Sequence, residues 1–374
     1  MSEFRESVGR SALPSLACKL ILSTALIGAM GSIGAKADGL TPRQLQLIAK
    51  YHIAKADQAD MFGAVAVTKD TSTVEAVAAP PKQYSKPAIK VPAPPSGTGL
   101  EISVGTIGLK RYSTHGIIAT PPTGTPGTLI TGDNFDFGRG FGPDIALRWK
   151  FNPDWSIQGR YFDSTSDATY NVPSVTTYRS AGIGVTILGG GSIDSSFSSQ
   201  LGSGELNVVR DVVPGLSVLA GYRHFALNDH LRDSLASTGL NLGTWDEENR
   251  LDGGQLGLNF GFQAPSLPLE FNAALKGGVY NNYATNKATS QVVSKAVDNG
   301  STTAYSGEID LTATYYINDR FSITAGYSSL WLNNVALSDT QAQATVQAAG
   351  GTKSPLNYTN AHYDAFTLGG TIHF

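Results

Sequence analysis

The chain has 374 residues, of which 15% are charged and 42 are glycine, and its formal net charge is -3. So little charge without a hydrophobic excess, at a mean hydropathy of -0.09, is unusual for a soluble protein but expected for a barrel with an apolar outside and a polar inside. The absence of a basic excess argues against a general affinity for nucleic acid.

The first 37 residues resemble an export signal. Basic residues precede an apolar run at 20–33, and an A-x-A motif at 35–37 predicts cleavage before Asp38. The alternative is an uncleaved membrane anchor, which the short run rich in glycine and serine disfavours. Cleavage removes Cys18, the only cysteine, and with it any cysteine catalysis or thiolate metal site.

A leader of residues 38–98 follows the signal. Thr41-Pro42 has the form of a helix N-cap followed by proline at the first helical position, so it predicts a short helix to about Asp57. An irregular segment is the alternative. Six prolines within 71–98 predict an extended, semi-rigid linker. The linker is either a plain spacer or a tether whose lysines contact an acidic periplasmic partner or peptidoglycan.

From residue 99 to 374 apolar and polar residues alternate with period two, which is typical of half-buried strands. In the last strand Phe366, Leu368 and Ile372 share one face, and Thr367 and Thr371 share the other. About ten such strands can be counted, or twelve if the segment 182–192 extends the sheet. The predicted fold is therefore all-β: a closed antiparallel transmembrane β-barrel of about ten strands, for which an even count is expected.

The predicted connections alternate between short and long, as periplasmic turns and external loops do in such barrels. The short ones are 152–154, 214–215, 263–268 and 318–320, and the long ones are 113–138, 164–199, 228–249, 284–302 and 333–362. A soluble β-sandwich is the alternative. The first long loop contains Phe135 and Phe137, and we expect a polar hairpin there, with an adhesive or plug-forming segment as the alternatives.

Aromatic residues near the predicted strand ends favour the membrane interpretation, because amphipathic rings prefer the headgroup level. The expected interface aromatics are Trp149, Trp155, Tyr222, Phe321, Trp331 and Phe374. Phe374 also has the position of the insertion signal that barrel-insertion machinery recognises. The predicted location is the bacterial outer membrane, in contact with lipid and lipopolysaccharide, with a periplasmic C-terminus.

Three stretches of the C-terminal half, 216–231, 249–258 and 325–335, resemble a family of β-barrel porins from planctomycete-type envelopes. They carry its Tyr-Arg pattern at Tyr222-Arg223, its Gly-Gly-Gln-x-Gly pattern at 253–257, and its Gly-Tyr…Trp-x-Asn-x-Val pattern within 326–335. The resemblance covers about 201–374. It implies an envelope location and a barrel shape more than a particular solute.

Charged residues of both signs occupy the polar face of the predicted strands. The expected lumen-lining residues are Glu101, Asp144, Arg148, Lys150, Arg160, Glu205, Arg223, Glu270, Lys276, Glu308 and Asp310. Either they line a narrow pore that passes small ions or polar solutes by diffusion, or they form an ion-paired plug, since ten strands lie near the filled end of the barrel series. The leading expectation is a porin-like or structural barrel without enzymatic activity, cofactor or metal.

Two other functions remain open at this stage. A surface adhesin would act through the long external loops. A rim hydrolase would use the acidic group around Asp229-His230, with Asp233, Asp246, Glu247 and Glu248 nearby, to activate water. The same oxygen-rich group could instead bind Ca²⁺, although it lacks a regular calcium loop.

Overall fold

The structure, a computed structural model, describes residues 98–120, 129–180, 186–289, 296–344 and 356–374. The predicted signal segment, the leader helix and nearly all of the proline-rich linker lie outside the described residues. Among the described residues, no helix has both the length and the apolar character needed to cross a membrane.

The described chain is almost entirely β-structure. Its strands are β1 (Gly99–Arg111), β2 (Ile117–Thr120), β3 (Ile130–Thr131), β4 (Gly140–Asn152), β5 (Trp155–Ser180), β6 (Thr186–Val213), β7 (Leu216–Leu235), β8 (Leu240–Gln263), β9 (Leu269–Thr289), β10 (Ala296–Tyr316), β11 (Phe321–Ala336) and β12 (Tyr358–His373). One short helix, α1 (Ser338–Ala344), precedes β12, and a 3-10 turn spans Gly132–Asn134.

Ten of these strands form a ring. All the pairings are antiparallel, and the order runs β5-β4-β1-β12-β11-β10-β9-β8-β7-β6, after which β6 pairs again with β5. The all-β antiparallel prediction and the count of about ten are thus confirmed for the ring. The two further strands, β2 and β3, belong to the β1–β4 connection, and residues 186–192 are simply part of β6.

Local chemistry explains the tight turns at one end of the ring. The side-chain oxygen of Asn152 accepts hydrogen bonds from the backbone of Asp154 and Trp155, both at 2.9 Å. The side-chain oxygen of Asn318 likewise accepts hydrogen bonds from the backbone of Arg320 and Phe321. Gly215 has a φ of +81°, which only glycine adopts at little cost, and it turns β6 into β7.

The predicted long loops 164–199, 228–249 and 284–302 are wrong in large part, because β5 to β10 continue through most of them. Their serine, threonine and asparagine content is typical of loops. However, alternate side chains in these segments are buried, and large apolar ones such as Phe197, Leu231 and Trp245 are among them. The described parts of the connections 113–138 and 333–362 are partly irregular, as predicted, but several of their side chains are buried inside the ring, among them Phe135, Phe137 and Leu337.

The two faces of the sheet exchange polarity along single strands. Near the middle of β8 the outward face is apolar: Leu256 points outward and is 69% exposed, while Gln255 points inward and is 3% exposed. Six residues earlier the outward face is polar: Arg250 is 68% exposed, while the inward Leu251 is fully buried. β7 changes in the same way between Tyr222 and Phe225. We call the outward apolar zone between the short turns and the level of Asp252 the belt.

The part of the ring beyond the belt is called the upper wall here; it comprises about 164–180, 186–200, 224–235, 240–252 and 281–289. Where side chains are described, its outward residues are mainly polar, and its inward residues combine large apolar side chains such as Phe197, Leu231 and Trp245 with buried polar ones. The six strands β5 to β10 have 20 to 28 residues. A membrane crossing needs only about 9–11, so about half of each strand is available for the upper wall.

Candidate functional site

The centre of the belt interior is filled by a network of paired charges. Lys276 Nζ lies 3.3 Å from Glu205, 3.2 Å from Glu308 and 3.1 Å from Asp310. Arg223 donates to Glu308 and lies 3.7 Å from Glu205. All these side chains are nearly inaccessible to solvent, so the network fills space as well as balancing charge.

The other predicted lumen residues surround this network on the side of the short turns. Arg160 pairs with Asp144 at 2.9 Å, and Lys150 pairs with Asp211 at the same distance, with Arg148 4.0 Å from Asp211. Glu270 accepts a hydrogen bond from the Tyr316 hydroxyl, and Glu101 lies 3.5 Å from His373. The structure thus places all eleven predicted residues within the ring, where they form ion pairs or hydrogen bonds.

A layer of apolar side chains closes the interior above the charged network. Phe225, Leu251 and Leu201 are fully buried there, and Tyr280 contacts Phe225 edge-on at 5.5 Å. The Arg223 guanidinium lies 4.2 Å from the centre of the Phe225 ring, which couples the two layers. Sequence reasoning missed this layer because its residues lie on the strand face that was expected to carry only polar lumen residues, as Arg223 and Phe225 of β7 show.

The two irregular connections fill the interior of the upper wall. Phe135 and Phe137 of the β1–β4 connection are buried against Phe197, so the predicted polar hairpin is wrong and the plug-forming alternative fits. The Arg111 guanidinium lies between the rings of Phe137 and Phe197, about 5 Å from each ring centre. Its Nη1 donates to both carboxylate oxygens of Asp229, each at 2.7 Å.

The β11–β12 connection enters from the other side. Asn249 holds Ala336 by two hydrogen bonds of 2.7 and 2.8 Å, and the Ser338 hydroxyl at the start of α1 donates to the Trp245 carbonyl. Gly116 lies directly against the Asp339 backbone, where a Cβ atom would come within 2.6 Å of the Asp339 carbonyl carbon. Close contact between the two connections therefore depends on a glycine at this position.

Glu247 is a buried carboxyl group beneath this plug. It lies directly opposite Asp229 across the β7–β8 ladder, and neither of its oxygens has a hydrogen-bond partner among the described residues. Burial raises the pKa of Glu247 well above its ordinary value, and the neighbouring carboxylates, Asp229 first, raise it further. Glu247 is therefore expected to hold a proton under conditions where exposed carboxyls are charged.

The structure divides the acidic group that a rim hydrolase or a Ca²⁺ site would need. Because neighbours in a strand point to opposite faces, Asp229, Asp233 and Glu247 are buried inside, whereas His230, Asp246 and Glu248 face outward. The pairing of Asp229 with His230 is therefore wrong. Among the described residues, no group of three or more histidine and acidic side chains is arranged to hold a metal ion.

The outward residues of this group line a shallow pocket on the outer wall. It has a volume of about 660 Å³. His230 Nδ1 is hydrogen-bonded to Asp246, and Lys287 pairs with Glu248 at 3.0 Å. Ser198, Gln200, Asn228 and Arg250 add further polar groups to the lining, which also includes Thr165 and the buried Asp229 and Glu247.

The expected interface aromatics all have outward, exposed positions: Trp149, Trp155, Tyr222, Phe321, Trp331 and Phe374. Trp149, Trp155, Phe321 and Phe374 lie at the end with the short turns. Tyr222 donates to Asp252, and Trp331 stacks on His362 with ring centres 5.1 Å apart, at the boundary with the upper wall.

No protein-family model and no curated protein matches the chain. Solved structures with some similarity include the outer-membrane protease OmpT from Escherichia coli, which is 12% identical over 75% of this chain and 97% of that chain, with a TM-score of 0.44. The toluene transporter TodX from Pseudomonas putida is 10% identical over 75% and 89%, with a TM-score of 0.28. Ail of Yersinia pestis is 13% identical over 74% and 99%, with a TM-score of 0.24. These similarities are too distant to indicate an activity.

Proposed function

We propose that the chain is a closed outer-membrane β-barrel that holds a plugged interior in the membrane and displays its upper wall outside it. The observation that carries this proposal is the exchange of polarity along β7 and β8. An outward apolar zone is costly in water but is required in lipid, whereas the polar outer face beyond it requires water. In a soluble β-sandwich one face of each strand stays apolar and the other stays polar along its whole length.

The proposed barrel is closed to free diffusion because two different layers occupy its interior. An ion would have to cross the buried charge network around Lys276 and then the apolar layer at Phe225 and Leu251. Desolvating an ion against apolar side chains is expensive, so the described conformation favours a structural barrel over an open pore.

The short turns define the proposed orientation. We place them, together with the C-terminal Phe374, on the periplasmic side, as is usual for bacterial barrels. Insertion would then follow cleavage of the export signal and recognition of the last strand by the insertion machinery. Lipopolysaccharide would surround the boundary between belt and upper wall on the external side.

A narrow, gated channel is the second candidate. A polar cavity of about 440 Å³ lies at the end with the short turns and is lined in part by Arg148, Asp211 and Glu270. Conduction would require the charge network and the apolar layer to open and both irregular connections to leave the interior, and then Arg148→Glu should change ion selectivity.

Quenching by lipids tests the proposed position of the belt. Of the four tryptophans, Trp149, Trp155 and Trp331 face outward and Trp245 is buried inside the upper wall. In vesicles of acyl-brominated phospholipid, single-tryptophan variants that keep Trp149 or Trp331 should lose fluorescence. The variant that keeps Trp245 is the matched control and should not. Equal quenching of Trp245 and Trp149 would overturn the proposed belt.

A further inference from the structure

Three outward residues of the upper wall lie side by side on adjacent strands. Ser198 on β6 is the register partner of His230 on β7, and His230 is the register partner of Asp246 on β8. Directly opposed residues on one face of a sheet have Cβ atoms about 5 Å apart. Serine, histidine and aspartate are thus aligned in this order across the wall, within one pocket.

The hydrogen bond between His230 and Asp246 fixes the orientation of the imidazole ring. Its Nδ1 faces the Asp246 carboxylate on β8. A carboxylate there holds the proton on Nδ1 and leaves Nε2 free as a base. The two ring nitrogens point in roughly opposite directions, so Nε2 faces the β6 side, where Ser198 lies. The register pairing of Ser198 with His230 is what puts the serine hydroxyl next to the imidazole.

The surroundings suit a water-soluble reactant. The pocket lies on the upper wall, beyond the belt, and opens outward. Apart from Ala226, it is lined by polar groups, among them the Asn228 amide and the Arg250 guanidinium. These groups could hydrogen-bond to a carbonyl oxygen, whereas a long acyl chain would find little apolar surface there.

We propose that Ser198, His230 and Asp246 form a serine-hydrolase site for small, water-soluble acyl esters on the outer wall. Ser198 Oγ attacks the ester carbonyl while His230 Nε2 takes the hydroxyl proton, and the alcohol leaves with that proton. Water then attacks the acyl-serine bond in the same way. The products are the free acid and the regenerated serine, and Asp246 orients the imidazole throughout.

The chain contains a matched control for this site. His224 and Asp252, six residues nearer the belt on the same two strands, form a second outward pair with Nδ1 2.8 Å from the carboxylate. The register partner of His224 on β6 is Gly204, so this pair has no hydroxyl opposite it. A histidine-aspartate pair with no nucleophile should support no acyl transfer.

Labelling with an alkyl fluorophosphonate tests the proposal on the refolded full chain. The probe should attach to Ser198, as mapped by peptide mass spectrometry. His230→Ala and Asp246→Asn should each slow the labelling by about 100-fold or more, because the general base is lost or misoriented. Ser198→Ala should abolish it. Since all three side chains lie on the surface, the variants are expected to fold, and heat-modifiable migration verifies this.

His224→Ala and Ser196→Ala serve as the controls, and both should label at the rate of the wild-type chain. Hydrolysis of p-nitrophenyl acetate should follow the same order among the variants. The proposal is overturned if the wild-type chain labels no faster than Ser198→Ala, if the label lies on another residue, or if His224→Ala slows labelling as much as His230→Ala.

Discussion

Neighbouring residues in this protein differ sharply in their surroundings because each strand has two faces. Arg111 is fully buried and pairs with Asp229, whereas the adjacent Lys110 pairs with an exposed Asp136 at 3.1 Å. A buried pair is costly to break because the remaining charge has no water to solvate it, while an exposed pair contributes little. The sequence shows both pairs only as scattered charges.

Removing one partner of the buried pair should therefore unfold the chain more easily. Asp229→Ala leaves Arg111 charged between two phenylalanine rings, and we expect a loss of about 3–5 kcal/mol in the free energy of unfolding. Asp136→Ala is the control and should change little. Urea titrations of the chain refolded in lipid vesicles measure both, and equal small effects would mean that Arg111 is not buried.

Glu247 should give the upper wall a pH-dependent stability. Burial and the facing Asp229 raise its pKa above the ordinary 4.5, so the folded state binds its proton more tightly than the unfolded state. The stabilisation is complete below pH 4.5 and is lost as the pH rises toward the raised pKa. The free energy of unfolding of Glu247→Gln, relative to wild type, should therefore rise by about 1.4 kcal/mol per pH unit in that window.

Ser166→Ala is the control for this titration, because Ser166 is buried on the same inward row but donates to the Leu109 carbonyl and contacts no acid. Its stability relative to wild type should not change with pH between about pH 4 and pH 8. If the wild-type chain and Glu247→Gln respond to pH identically, the carboxyl is not buried and unpaired as described.

At the scale of the strand, the sequence contains more than its simple alternation reveals. In β7 most apolar residues occupy even positions up to Tyr222 and odd positions from Phe225. The β7–β8 register continues without interruption through this change. Such a change of phase with no bulge is expected where a strand leaves a membrane. Apolar–polar alternation alone predicts β11 and β12 well. In the longer strands it suggests a loop where the outward residues become polar, because the change of phase is not recognised.

Arginine substitutions at two heights should measure this change of environment. Leu256→Arg puts a charge on the outward face of the belt and should cost about 2–4 kcal/mol in lipid. Thr285→Arg puts the same side chain on the outward face of the upper wall and should cost little. Unfolding titrations in vesicles compare the two variants, and equal costs would contradict the assigned membrane boundary.

At the scale of the whole molecule, the central feature is an interior closed by parts that are distant in the sequence. The mixed charge of the belt interior could be predicted from the polar face of each strand. The ion pairs could not, because Arg223 and Glu308 are 85 residues apart and meet only when the ring closes. The same holds for the contact of Gly116 with α1, which joins the two connections inside the upper wall.

Single-channel recording of the refolded chain in a planar bilayer tests the closed interior most directly. The structure predicts that a heat-modifiable, fully inserted barrel shows no steady ion current. Quenching of Trp149 by brominated lipid is the control that verifies insertion of the silent barrel. Stable, discrete conductance steps from the wild-type chain, with a selectivity that Arg148→Glu reverses, would contradict the closed barrel.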